Sequence, residues 1–287
     1  MVIRLTRPDV DDVDLIRQVV EQRQNGRNRG YFSRIEKDWK QRVRDYLAHS
    51  GNPETVARWQ AAVRFKARFL SLYNSPQEGS VQKPVLHKLR ERTIQYCPAC
   101  GEDGTPNTLD HYLPKNDYPD FAITASNLFP MCDTCQGWKL EQTLDEHGRR
   151  RFLHPYFDEF LDQQVLCLEI GRPFSAPRSI ELLPCPDLPQ QVKDIVSRHI
   201  EALGIVNRYS HFFRDEYVRL LRSAADIREE GLDMQQQIRI FRNRARRKAI
   251  NSWGHIFYDS VLRNDELLRH LETAELPERE DWALAPQ

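Results

Sequence analysis

The chain has 287 residues, 40% of them hydrophobic and 29% charged, and its 42 basic and 42 acidic side chains give a formal net charge of zero. A chain of this size can form one large domain or two small ones around a buried core. Its apolar stretches are too short for a membrane span of about 20 residues, and charged residues close to Met1 argue against a signal peptide. We therefore expect a cytoplasmic protein without membrane segments.

The first third of the chain, residues 1–92, is predicted to be helical and basic, with 19 Lys and Arg against 11 Asp and Glu. We predict a short first strand and then a helix that places aliphatic residues from Val13 to Val20 on one face, with Asp9 or Asp11 as its N-cap. Further helices are predicted over 33–48, 54–73 and 81–92.

From residue 93 to 155, short strands and turns replace the helical pattern, which predicts a small metal-organised module. Residues 156–190 are predicted to form a helix-poor extension, with a strand near 165–170 and a Pro-rich joint. Residues 191–287 complete the chain as a helical C-terminal region with a frayed tail after Leu276. Helices of this last part are predicted near 187–203, 207–230, 233–258 and 260–273.

Four of the six cysteines form two Cys-x-x-Cys pairs, Cys97 with Cys100 and Cys132 with Cys135, separated by 31 residues. This spacing lets four thiolates converge on one Zn²⁺, and a zinc bound by four sulfurs has no open position and is structural. Gly101 follows the first pair, where a turn favours positive φ. The other two cysteines are predicted to be buried or partly buried thiols, Cys167 and Cys185.

A group of polar residues lies between and beside the cysteine pairs. Asp110 and His111 stand in Thr-Leu-Asp-His-Tyr-Leu-Pro, Asn127 follows 16 residues after His111, and Gln136 lies nine residues further on, directly after Cys135. The order Cys-x-x-Cys, Leu-Asp-His-x-x-Pro, Asn-Leu-x-Pro-x-Cys-x-x-Cys-x-x-x-Lys resembles the HNH endonuclease family. The resemblance covers a small part of the chain and implies a zinc-stapled ββα-metal module, flanked here by helical regions in a mainly α protein with a small α+β insert.

Phosphodiester hydrolysis needs an activated water, charge neutralisation at the phosphate and stabilisation of the leaving 3′ oxygen, which one histidine and one metal ion can supply. His111 is the predicted general base, and Asp110 would bind Mg²⁺ or Mn²⁺ through a carboxylate oxygen. The resemblance implies that Asn127 fixes the loop or the histidine and that Gln136 is the second metal ligand. The family usually has His or Asn at the position of Gln136.

Other residues have more than one interpretation. Asp133 fits a second acid near the metal or, better, a charge at a helix N-terminus, and Lys139 fits a phosphate contact or a solvated helix position. His154 has a counterpart in the family but fits a structural role better. Six cations between Arg239 and Lys248 make this helix a predicted contact with the nucleic-acid backbone or a solvated face, and the predicted contacts are Arg242, Arg246 and Lys248.

The sequence therefore predicts a metal-dependent DNA endonuclease that uses structural Zn²⁺ and catalytic Mg²⁺ or Mn²⁺. The arrangement of the flanking helices also resembles the HNH nuclease subunit of Septu-type or retron-associated antiphage defence systems, which implies an ABC-type ATPase partner. The chain has no Gly-x-x-x-x-Gly-Lys-[Ser/Thr] motif of its own. A stand-alone restriction-type nuclease and a non-catalytic zinc module that binds nucleic acid or protein are the two alternatives.

Overall fold

The computed structural model describes residues 3–23 and 28–276, mostly in helices, with strands in two short antiparallel pairs. This confirms the predicted mainly α class with a small α+β part. Two compact units are present: the first comprises Arg4–Ala99 and Gly104–Glu159, and the second comprises residues 3, 100–103 and 160–276 of the described chain. The division into four regions stays a prediction. None of the helices within these residues is long and apolar enough to cross a bilayer.

The first unit is built from helices around one pair of strands. Its helical core is aromatic, since the rings of Phe32, Trp39 and Phe69 pack 5.1 to 5.6 Å apart. Asp11 is the N-cap of the first helix, because its carboxylate accepts from the backbone N–H groups of residues 13 and 14. The elements in chain order are α1 (Asp12–Gln22), α2 (Arg29–Ala48), α3 (Gln60–Arg64), α4 (Lys66–Asn74), α5 (Gln82–Arg90), β1 (Thr108–His111), β2 (Leu128–Met131) and α6 (Asp133–Lys139).

The strand pair of the first unit is short and runs directly into a helix. β1 and β2 are antiparallel, with Thr108 opposite Met131 and His111 opposite Leu128. A helix covers this pair, since Leu86 and Leu89 of α5 belong to one hydrophobic cluster with residues of both strands. Since α6 begins two residues after β2 ends and contacts β1, the chain forms a strand–strand–helix unit.

The second unit packs five helices of the described chain with another strand pair. Its core is again aromatic, because the rings of Phe213, Tyr217 and Phe257 lie 5.2 to 6.4 Å apart. The elements are β3 (Leu166–Ile170), β4 (Ile180–Pro184), α7 (Gln190–Ala202), α8 (Ile205–Glu229), α9 (Met234–Lys248), α10 (Trp253–Arg263) and α11 (Asp265–Thr273).

Two predicted elements of the first unit are wrong. Residues 3–11 contain no strand, and the Leu5 N–H instead donates to the Pro155 carbonyl at 2.8 Å. The helix predicted over 54–73 is interrupted, because the Asn52 side chain accepts from the Glu54 N–H and its carbonyl accepts from the next two N–H groups. Such a turn at an Asn competes with helix formation, so the helical residues begin only at α3.

The second unit departs from the prediction at three places. The helix predicted over 233–258 is divided into α9 and α10 by Ala249, which is extended with φ −168° and ψ 140°. Strand β4 was not predicted. The two cysteines expected as thiols, Cys167 and Cys185, are joined in a disulfide, since the pairing of β3 with β4 brings their Cα atoms to 5.0 Å. The predicted tail after Leu276 lies outside the described residues.

We expect Asn251→Ala to lower the free energy of unfolding by about 2–4 kcal/mol. Asn251 is fully buried; its Oδ1 accepts from the Val165 N–H, and its Nδ2 donates to the carbonyls of Leu161 and Gln163. Alanine leaves these three backbone groups without a partner. Urea unfolding measures the loss, and Asn243→Ala on the exposed side of α9 is the control, with an expected change within about 0.5 kcal/mol. Equal losses of unfolding free energy in the two variants would show that Asn251 does not stabilise the break between α9 and α10.

Candidate active site and metal centre

The four paired cysteines converge, as predicted. The Sγ atoms of Cys97, Cys100, Cys132 and Cys135 all lie within 4.8 Å of one another. In a tetrahedral Zn²⁺ site with Zn–S bonds of about 2.3 Å, the sulfur atoms are about 3.8 Å apart, so a small movement of the side chains would form the site. The donor set therefore fits one structural metal ion such as zinc. Gly101 has the expected positive φ of 75°, which lets the chain turn directly after the first pair.

One of these cysteines also begins the last helix of the strand–strand–helix unit. Cys132 is the N-cap residue of α6, and its sulfur accepts from the Cys135 N–H at 3.4 Å, while its own N–H donates to the Cys97 sulfur at 3.3 Å. Thiolates that accept N–H bonds of a helix N-terminus are stabilised by the partial positive charge there. The cysteine cluster thus sets where α6 starts and which residue of α6 faces β1.

That residue is Gln136, whose side chain meets Asp110 of β1. The Gln136 Nε2 donates to Asp110 Oδ1 at 3.3 Å, and Asp110 is 7% exposed. The two predicted metal ligands, separated by 25 residues of chain, are therefore neighbours in space. A half-turn of the terminal amide of Gln136 would point its oxygen, in place of its nitrogen, at the Asp110 carboxylate. Both amide orientations fit the same space.

The structure contradicts the solvated helix position predicted for Lys139. Its side chain is 2% exposed, its Nζ lies 2.9 Å from Asp110 Oδ2, and the same ammonium donates to the His111 carbonyl at 2.7 Å. The Oδ2 contact is an ion pair that lacks hydrogen-bond geometry. Lys139 is therefore not a solvated surface group, because it neutralises a buried carboxylate, and its contact with phosphate stays a prediction.

His111 is buried beside this ion pair. Its Nε2 lies 3.0 Å from the Ala122 carbonyl, which holds the proton on Nε2 and leaves Nδ1 as the basic nitrogen; Nδ1 has no hydrogen bond within the described chain. Burial lowers the His111 pKa to about 4, although the Ala122 hydrogen bond and the Asp110 charge act in the opposite direction. The imidazole is therefore neutral at neutral pH, as a proton acceptor must be.

Asn127 fixes the loop between the two strands. Its Oδ1 accepts from the Leu113 N–H at 2.8 Å, its Nδ2 donates to the Leu113 and Phe121 carbonyls at 3.0 and 3.3 Å, and its own carbonyl accepts from the Tyr112 N–H. Asn127 is fully buried. These contacts hold the strand end that carries His111, and the Asn127 side chain makes no contact with the histidine ring itself in the described residues.

His154 has the structural placement that its sequence context favours. The ring is fully buried; Nδ1 accepts from the Tyr156 N–H, and Nε2 lies 3.0 Å from the Tyr46 hydroxyl. The same hydroxyl lies 3.2 Å from Asn127 Oδ1. Burial depresses the His154 pKa well below its ordinary value. The Tyr46 hydroxyl thus links His154 to Asn127 and helps to hold the Asn127 side chain in place.

The other predicted residues lie away from the pair of Asp110 and Gln136. Asp133 is exposed at the first position of α6, which fits the helix N-terminal charge. Of the cations predicted on α9, Arg242 forms an ion pair with Asp259 and Lys248 forms one with Asp103, whereas Arg246 is exposed. Two of the three predicted phosphate contacts are therefore already neutralised within the second unit.

Three residues near His111 were not predicted. The Tyr73 ring packs edge-on against the imidazole at 4.5 Å between centroids, and its hydroxyl donates to the Leu109 carbonyl. The Arg90 guanidinium and the Lys115 ammonium lie 5.3 and 5.7 Å from the centre of the same ring. Tyr73 and Arg90 belong to helices that precede the cysteine module, and no sequence motif connects them to His111.

Purified protein is expected to contain one zinc per chain, and Cys132→Ser is expected to lose it, because serine replaces one of four thiolate donors. Metal content is measured by inorganic mass spectrometry after gel filtration. Thr134→Ser is the control, since Thr134 is an exposed residue of α6 that lies outside the cluster. Equal loss of zinc in both variants would contradict the assignment.

Lys139→Met is expected to destabilise the protein by about 3–5 kcal/mol in buffer without Mg²⁺, because it leaves the buried Asp110 carboxylate without its cation. Adding Asp110→Asn should recover part of the loss, since a neutral amide needs no counter-charge. Urea unfolding of the parent, the two single variants and the double variant gives the coupling energy. Strictly additive effects would show that this ion pair does not operate.

Comparison with known proteins gives a limited relationship. No family model matches the chain, and no solved structure matches it. A curated protein named Protein ea31, from Escherichia phage lambda, is 32% identical over 118 residues, which is 39% of this chain and 39% of that protein. The chain thus spans well under half the length of this relative, whose name states no activity.

Proposed function

We propose that the protein is a metal-dependent endonuclease of the HNH class that hydrolyses DNA phosphodiester bonds. The observation that carries the proposal is the contact between Asp110 of β1 and Gln136 of α6, with His111 as the next residue after Asp110. An antiparallel strand pair followed at once by a helix is the arrangement that the HNH resemblance implies. A hard carboxylate, an amide and a neutral imidazole are the groups that such hydrolysis uses.

The residues present fit a divalent metal ion. Within the described part of the chain, Asp110 Oδ2 is buried without a hydrogen bond and has the ammonium of Lys139 as its ion-pair partner. Mg²⁺ and Mn²⁺ are commonly held by one or two protein oxygens and complete their shell with water and substrate phosphate oxygens. Asp110 and the Gln136 amide oxygen would hold the ion, and the bound ion would stabilise the negative charge on the leaving 3′ oxygen.

The chain's own residues would carry out the proton transfer. His111 Nδ1 would take a proton from a water molecule as the water oxygen forms a bond to phosphorus and the bond from phosphorus to the 3′ oxygen breaks. The Ala122 carbonyl at Nε2 keeps the ring in the required tautomer and orientation. The leaving 3′ oxygen would take a proton from solvent, which gives a 5′ phosphate and a 3′ hydroxyl, and the proton on His111 would then be released to solvent.

Binding of DNA outside the site is proposed to use α9, which carries six cations and no acidic residue. Four of its arginines are exposed and have no ion-pair partner among the described residues: Arg239, Arg244, Arg246 and Arg247. Such a surface binds phosphates without reading bases, and its affinity falls with salt.

The proposed setting is antiphage defence together with an ABC-type ATPase, as the resemblance to Septu-type and retron-associated systems implies. A stand-alone nuclease is the rival. Purification of the chain together with a large ATPase, and cutting that depends on that ATPase, would support the first alternative. Full cutting by the isolated chain would support the second.

The test is the conversion of supercoiled plasmid to nicked and linear forms with Mg²⁺ or Mn²⁺, alone and with the ATPase. His111→Ala is expected to cut at least about 100-fold more slowly, since it removes the general base. The matched control is His147→Ala, because His147 is an exposed histidine of the same unit.

Zinc content must be equal in the parent and both variants, so that loss of the structural metal is not mistaken for loss of the base. Cutting by His111→Ala at the parental rate would overturn the proposed mechanism. An unreactive parent with intact zinc under all of these conditions would leave the non-catalytic zinc module as the better description.

A further inference from the structure

Two cations lie close to the aromatic ring that packs on the candidate base. Arg90, the last residue of α5, has its guanidinium carbon 5.3 Å from the Tyr73 ring centroid, and the Lys115 ammonium lies 5.7 Å from the same point. The ring in turn packs 4.5 Å from the centroid of His111. Cations at these distances over an aromatic ring are attracted by its negative face. The Tyr73 ring therefore contacts the His111 imidazole and both cations.

Neither charge is neutralised by a carboxylate. No ion pair within residues 3–23 and 28–276 involves Arg90 or Lys115, whereas the third nearby cation, Lys139, is paired with Asp110. Arg90 is exposed and Lys115 is half-buried. Both are thus accessible to a ligand from solvent.

We propose that Arg90 and Lys115 form a phosphate-binding pair that holds the DNA strand and presents its scissile phosphate to His111. The inference rests on the proposed nuclease function and identifies how that site would bind its substrate. A guanidinium binds phosphate oxygens through two parallel N–H groups and an ammonium binds them as a point charge. Tyr73 is a positioning residue, since its ring holds both cations and the imidazole while its hydroxyl is anchored to the Leu109 carbonyl at 3.1 Å.

The position of the pair argues for nucleic acid over an acidic protein. Unpaired cations on an open surface would suit either ligand, but these two lie next to a neutral imidazole and a metal-competent carboxylate. A phosphodiester carries its negative charge on the oxygens bonded to the phosphorus atom that an activated water would attack, so substrate binding and catalysis would use the same phosphate or its neighbour.

The experiment measures DNA binding without cutting. All variants are made in the full chain carrying His111→Ala, and fluorescence anisotropy of a labelled duplex of about 20 base pairs is recorded over a range of salt concentrations. Arg90→Ala and Lys115→Ala are each expected to weaken binding about three- to tenfold at low salt and to reduce the slope of log K against log salt by about 1. Lys115→Arg should restore most of the affinity, because it retains the charge.

Two control variants separate charge from structure. Lys37→Ala removes an exposed cation of α2 that has no contact with Tyr73 or His111 in the described residues, and it should leave both affinity and slope unchanged. Tyr73→Phe keeps the ring and should retain DNA binding. Equal melting midpoints by circular dichroism verify that the Arg90 and Lys115 variants are folded.

The outcomes distinguish this inference from the proposed function. Reduced affinity and slope in Arg90→Ala and Lys115→Ala support the phosphate pair even if the parent with His111 cuts no DNA. Unchanged binding in both variants, or no DNA binding by the His111→Ala chain, overturns the pair even if the parent cuts. Loss of affinity equal to that of Lys37→Ala also overturns it, since any surface cation would then have the same effect.

Discussion

The buried ion pair between Lys139 and Asp110 is the contact on which the geometry of the candidate site depends. An ammonium and a carboxylate removed from water are stable only while each neutralises the other, so α6 and β1 are fixed at the distance that keeps these atoms 2.9 Å apart. The second contact of Lys139, to the His111 carbonyl, extends this constraint to the backbone of the predicted base. Gln136, almost one helical turn earlier on α6, is thereby placed beside Asp110.

The cysteine cluster and the neighbouring candidate residues could be identified in the sequence because their spacing is local. Two Cys-x-x-Cys pairs can converge on one metal whatever surrounds them, and the four sulfur atoms do lie close together. The nuclease roles of Asp110, His111, Asn127 and Gln136 stay predictions, although the structure brings Asp110 and Gln136 into contact and places Asn127 across the loop. Most long helices were also predicted, since an apolar face at helical spacing is visible in a single segment.

The features that were not predicted depend on contacts between segments that are far apart in the sequence. Lys139 is buried because α6 packs on β1. The sequence of α6 alone does not show this packing. Tyr73 and Arg90 reach the site from helices that carry no motif. The break between α9 and α10 is stabilised by Asn251 through carbonyls and an N–H that lie 86 to 90 residues away. Periodicity within a window cannot detect partners at that separation.

Cys132 has two structural roles, as a member of the metal cluster and as the residue that caps α6. A ligand that also caps a helix makes metal occupancy and local folding one equilibrium. Chains without the metal would therefore have a less ordered first turn of α6, and Gln136 lies in that turn. In the proposed enzyme, a preparation would contain active and inactive molecules in proportion to their zinc occupancy. Oxidants that attack thiolates would act as inhibitors without entering the active site.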